Sequence, residues 1–170
     1  MKHLYWLLIM AAVLLSCQPS NAGSKNKQKQ GAQVFTLADA EKILGEKAHM
    51  NEGKTTNNDG IAVYQSAYVA DAVDQATGKT GNIYFMMEEY PEATAAGKVY
   101  NSIMEANRPN GINELQGLGD EAYFHSDNTN FLFILARKGN KMIRMKVNKI
   151  TSNTSREAFD NTARKIIEAI

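Results

Sequence analysis

The chain has 170 residues, 44% hydrophobic and 22% charged, with 19 lysines and arginines against 18 acids and a formal charge of +1. That leaves room for one ordinary globular domain and a tail. The near-neutral balance excludes a general nucleic-acid binder, which needs a clustered excess of bases. The single cysteine, Cys17, excludes an intrachain disulfide and a cysteine metal site.

Met1-Lys2-His3 is a short basic start, and Leu4 to Leu15 is an apolar run. The run is shorter than the roughly 20 residues a membrane helix needs and has the length of a secretory h-region. It ends in Leu14-Leu15-Ser16-Cys17. This resembles the bacterial lipoprotein box: a branched apolar residue three before the cysteine, a small residue next, then Cys. The resemblance implies a signal peptide over residues 1–16, cleavage before Cys17 and lipid on Cys17. Two or more acyl chains anchor firmly where one is marginal. The expected location is the bacterial cell envelope, with the protein anchored to a membrane, by expectation the outer one, on its periplasmic or surface side. Gln18 stands where the enterobacterial inner-membrane retention signal has Asp. Losing residues 1–16 removes only Lys2, so the mature chain has 18 bases and 18 acids. Residues 17–34 read as lipidated Cys and flexible tether, because Gln18 to Gln33 hold no large apolar residue to bury.

Residues 35–170 read as a single α+β domain. Thr36-Leu37-Ala38-Asp39 is a capping-box start with Asp in place of Glu, and Leu37, Ala40, Ile43 and Leu44 form one helical face. Gly45 stops the helix. Residues 46–60 are polar and end in the turn signal Asn58-Asp59-Gly60. Ile61 to Ala70 and Asn82 to Glu89 alternate as two strands of a hairpin with a long loop. Pro91 is placed to open a second helix, whose stripe is Ala95, Ala96, Val99, Tyr100, Ile103 and Met104. Gly117-Leu118-Gly119-Asp120 is a tight structural turn: the glycines permit backbone that a Cβ resists, and Asp120 can accept backbone N–H bonds. Tyr123 or Phe124 then enters the core. Phe131 to Ala136 is apolar on both faces, as in a strand covered on both sides. Gly139-Asn140 suits a two-residue turn into Met142 to Val147. Thr154 with Glu157 is a second capping box, before a helix with the face Phe159, Thr162, Ala163, Ile166, Ile167 and Ile170. The order is α-β-β-α-β-β-β-α, an antiparallel sheet of about five strands with helices on both faces.

This order, together with Gly117-Leu118-Gly119-Asp120-Glu121-Ala122-Tyr123, resembles uncharacterised small lipoproteins of actinobacteria. Those carry a similar Gly-Leu-Gly-Asp-x-Ala-Tyr segment and are similar to the PsbP fold of the photosystem accessory protein and the yeast Ran-release factor. Many of them have further cysteines in the domain; this chain has none. The resemblance covers residues 35–170 and implies a binding or accessory module, with no catalytic residues to carry across.

Chemistry-bearing patterns are sparse. His125 with Asp127 offers two metal ligands, too few for a site, and Ser126 beside them lacks the nucleophile-elbow glycines. Gly78-Lys79-Thr80 has Val73 where a phosphate loop needs its first glycine. Asp127, Asn128 and Asn130 lack calcium-loop spacing. Glu88-Glu89 and Asp120-Glu121 are neighbours that would point to opposite faces of a strand. Two surfaces stand out. Arg137, Lys138, Lys141, Arg144, Lys146 and Lys149 form a basic hairpin suited to an anionic partner or to plain solvation. Tyr64, Tyr68, Tyr84 and Met86 are expected on the sheet face opposite Ile61 and Ile83, as core or as a groove for a small apolar ligand. The expectation is a non-enzymatic, lipid-anchored accessory protein, held to the membrane by Cys17 and contacting an envelope protein, with no metal, cofactor or nucleic acid. A carrier or sensor of a small apolar ligand is the alternative, and an envelope enzyme the third reading.

Overall fold

The structure, a computed structural model, describes residues 34–170; the expected signal peptide, Cys17 and the expected tether as far as Gln33 lie outside the described residues. Helix α1 (Leu37–Leu44) starts as its capping box predicts: Thr36 Oγ1 accepts from Asp39 N, and Thr36 N donates to the Asp39 carboxylate. It ends on Gly45 at φ 73°. Val34, placed at the end of the tether by the sequence reading, is buried with Phe35 in the core.

The polar stretch after Gly45 is a strand, not a loop. β1 (Ala48–Asn58) pairs with β2 (Ile61–Ala70), and Asp59-Gly60 make a two-residue hairpin turn with both φ positive. β1 is nearly all exposed, so it buries no face and shows no alternation to read. β3 (Asn82–Glu89) pairs with β2 across the long loop, as expected. Helix α2 (Ala93–Asn107) starts from Glu92, so Pro91 lies two residues before the helix rather than at its first position. β4 (Asn113–Glu114), β5 (Glu121–Ser126), β6 (Leu132–Lys138) and β7 (Lys141–Val147) follow, then α3 (Arg156–Ala169). Ser155, not Thr154, caps α3, accepting from Ala158 N at 3.1 Å. Thr154 Oγ1 instead accepts from Thr151 N one turn earlier. The strands form one antiparallel sheet in the order β1-β2-β3-β7-β6-β5-β4. The class is α+β with seven strands rather than five, because β1 and the two-residue β4 carry no apolar pattern.

Register assigns the faces, since directly opposed residues share a side. Tyr64 opposes Met87, Ser66 opposes Phe85 and Tyr68 opposes Ile83. Phe85, Ile83 and Met87 in turn oppose Met145, Val147 and Ile143. This face packs against α1 and α3, with Phe35, Ile43, Leu44, Phe159, Ala163 and Ile166 fully buried. The opposite face meets α2 through Ala96, Tyr100, Tyr123, Leu135 and Met142. β6 is therefore covered on both sides, with Ile134 and Ala136 toward one pair of helices and Leu135 toward α2. Tyr123 and Phe124 both enter the core, one on each face.

Candidate functional site

The basic hairpin is not a free patch. β6 and β7 are central strands, flanked by β5 and β3, and most of their bases are engaged. Arg137 Nε donates to Glu121 Oε2 at 2.7 Å, and its Nη1 to Asp120 Oδ2 at 3.0 Å and the Gly139 carbonyl at 2.8 Å. Lys138 Nζ donates to the Ile167 and Glu168 carbonyls, where a cation suits the negative end of α3. Lys146 Nζ lies 5.4 Å from the centre of the Phe131 ring. Arg144 Nη2 lies 2.9 Å from Glu88 Oε2. That pair is close but not aligned for hydrogen bonding: Glu88 Oε2 and Arg144 Nε are buried without a hydrogen-bond partner. Strand register puts Arg144 on the sheet face that α2 partly covers, beside Leu135 and Met86. Four of the six bases, Arg137, Lys138, Arg144 and Lys146, are thus engaged within the fold, which leaves little of the hairpin free to dock a partner.

Asp120 and Glu121 do work together, against the alternation argument. Asp120 precedes β5, so it is not bound by the strand's two-residue period, and both carboxylates reach Arg137. Asp120 Oδ2 also accepts from Gly139 N at 2.8 Å, while Asp120 N donates to the Arg137 carbonyl. Asp120 therefore ties the glycine turn to the β6–β7 turn rather than closing its own. Gly117 and Gly119 sit at φ 71° and 70°. A Cβ on Gly119 would strike the Arg137 carbonyl oxygen, and one on Gly117 would meet open space.

The tyrosine groove is not formed. Tyr64 and Tyr68 share the Ile83 face and are buried beneath α1 and α3. The error came from parity across the loop: Tyr84 opposes Ala67, and Met86 opposes Gln65. Those two lie on the other face with Ile61, Val63, Ala67 and Val69. The apolar cluster under α2 takes in β5, β6 and β7 and reaches only Ile61 of β2. Val63, Gln65, Ala67, Tyr84 and Met86 are left half-buried. Beside this sheet floor runs β1, whose Asn51, Glu52, Lys54, Asn57 and Asn58 are exposed. β1 has a strand neighbour on one side only, and its register slips between Met50 and Glu52. This edge and floor, which the sequence reading passed over as a polar loop, are the candidate binding surface. Comparison with family models, curated proteins and solved structures returns no match.

The remaining polar candidates hold loops. Asp74 accepts from Ser152 N, Ser152 Oγ, Thr77 Oγ1 and Ala76 N, which hold its carboxyl well below the usual range. Asp127 accepts from the backbone of Asn130, Thr129 and Phe131 and from Asn130 Nδ2, with the same consequence. Lys79 Nζ reaches the Thr129 carbonyl and Asn130 Oδ1, so Gly78-Lys79-Thr80 braces that loop. His125 lies against Phe131 and 3.2 Å from the Gly111 carbonyl. His49 Nδ1 meets Asp71 Oδ1 at 2.6 Å. Among the described residues no group of three His, Cys, Asp or Glu is placed to hold a metal ion.

Proposed function

We propose that this chain is a non-enzymatic accessory protein of the bacterial envelope, anchored by lipid on Cys17, that binds a partner protein along β1. The observation that carries the reading is the asymmetric cover of the sheet. One face is closed by two helices, and the other is closed only over β5–β7. That leaves an eleven-residue edge strand beside a half-exposed floor. An extended segment of a partner can add to such an edge through main-chain hydrogen bonds and lean side chains over β1 toward Val63 and Ala67 of β2. The slipped register and Lys54 discourage indiscriminate pairing, which suits an edge reserved for one partner. The lipobox and the tether supply the anchor, and the antiparallel sheet with helices on both faces is what the PsbP-like resemblance implies. The apolar-ligand reading loses its groove once Tyr64 and Tyr68 are in the core.

The test is crosslinking in living cells followed by pull-down of the full-length protein. The reading expects a defined envelope protein that is lost in Glu52→Lys/Lys54→Glu, retained in Lys149→Glu, and lost from the membrane fraction in Cys17→Ala. A partner indifferent to the β1 variant, or none at all, would overturn it.

A further inference from the structure

Strand β1 carries a charge pattern that is complementary to itself. The two-residue turn Asp59-Gly60 makes Asn58 and Ile61 a hydrogen-bonded pair. The register runs unbroken from there to Glu52, so alternation turns the main-chain groups of Gly53, Thr55 and Asn57 away from β2. Glu52, Lys54 and Thr56 oppose Ala67, Gln65 and Val63, which places their side chains on the sheet face that α2 leaves bare. Burial, and then the Glu52 carboxylate, raise the Tyr84 phenol on that same face. Glu52 and Lys54 are exposed, and neither forms an ion pair among the described residues.

An antiparallel partner strand must set its own outward main-chain groups against these. A second copy of β1 meets that condition in a few registers. In one, a two-fold axis normal to the sheet passes through Gly53, and Gly53 bonds to Gly53 of the second copy. Glu52 then opposes Lys54 of the second copy, and Lys54 opposes Glu52 of the second copy, on one face. Both pairs take the closer spacing of about 4.5 Å between Cα atoms, which brings side chains together. Centred on Lys54, the register would set two lysines against each other. Centred on Thr55, it would set Glu52 against Asn58 and Lys54 against Thr56. Opposite charges stabilise such a pair and like charges destabilise it, so charge selects the register centred on Gly53.

We propose that β1 pairs with β1 of a second copy, antiparallel about Gly53, and that this pair holds the edge until the envelope partner displaces it. The inference rests on the reading of β1 as an open binding edge and adds how that edge is regulated. Pairing satisfies the outward main-chain groups of both copies and withdraws the strand from indiscriminate addition. The contact is one strand wide with two ion pairs at its centre, a small interface of the transient kind that a partner can exchange with.

The experiment is sedimentation equilibrium of the full-length protein in density-matched detergent, with micelles in excess over protein. Wild type is expected to dimerise reversibly, and higher salt to weaken the dimer. Glu52→Lys sets like charges against each other twice and should raise the dimer Kd about tenfold or more. Glu52→Lys/Lys54→Glu exchanges the charges, restores both attractions and should return Kd to within about twofold of wild type. No dimer in the wild type, a dimer that Glu52→Lys leaves unchanged, or a double variant no tighter than the single one overturns the proposal. In cells the same double variant is expected to lose the envelope partner, so the two readings separate. A restored dimer with the partner lost supports both. A restored dimer with no partner captured from wild type overturns the partner alone, and a captured partner with no dimer overturns the pair alone.

Discussion

Single residues carry most of the geometry around the glycine turn. Gly119→Ala combines a left-handed backbone with a clash against the Arg137 carbonyl. It should cost at least about 2 kcal/mol, read as a lower urea midpoint. Gly117→Ala meets only the backbone penalty, about 1 kcal/mol, and should lower the midpoint less. Three carboxyls set the acid limb of stability. Burial alone would raise Asp39, but bonds from Lys165 and Thr36 outweigh it and hold Asp39 low; backbone and side-chain bonds hold Asp74 and Asp127 low. Groups lowered in the fold stabilise it fully above the unfolded value of about 3.9, and the contribution is lost as pH falls through their folded values. Urea midpoints should therefore drop below about pH 4, and Asp74→Asn should flatten that drop. At the other limb, burial and then Glu88 push Tyr90 up to about 12. Its stabilisation is complete below about pH 10 and should be lost as pH rises toward 12, a loss Tyr90→Phe should reduce.

At the scale of elements, legibility followed burial. β2 and β3 bury alternate residues, while β6 and β7 bury residues on both faces, and their apolar patterns showed in the sequence. The capping box of α1 and the Gly139-Asn140 turn were legible because their side chains act locally. β1 was not, since an edge strand with almost no buried face carries no period. The face of Tyr64 and Tyr68 was misassigned because each strand's alternation is visible alone, whereas their mutual parity is set by pairing across an eleven-residue loop from Asp71 to Gly81. The basic run misled for a related reason. Its charges are adjacent in sequence, but β7 lies mid-sheet and turns Arg144 toward Glu88. Arg144→Glu should therefore cost about 3 kcal/mol or more, by placing a second carboxylate beside a half-buried one, while replacing the pair together, Arg144→Met with Glu88→Leu, should be near neutral. Urea unfolding of both variants distinguishes this inward role from a surface one.

For the whole molecule, the seven-stranded sheet divides the chain into a closed half and an open half. In the closed half, β5 to β7, α3 covers one face and α2 the other; in the open half α1 covers one face and, among the described residues, no helix covers the other. The open half ends in β1. The α+β class and the cover on both faces of β6 could be read from composition and pattern. The binding surface could not, because it is made of polar and small residues whose meaning comes only from being at an edge. The most direct measurement is site-specific photocrosslinking in living cells. The probe is placed in turn at Asn57 on β1 and at Lys149 beyond β7 of the full-length protein. The account predicts one discrete adduct from Asn57, lost in Glu52→Lys/Lys54→Glu, and none from Lys149. An adduct from Lys149 with none from Asn57 would contradict it.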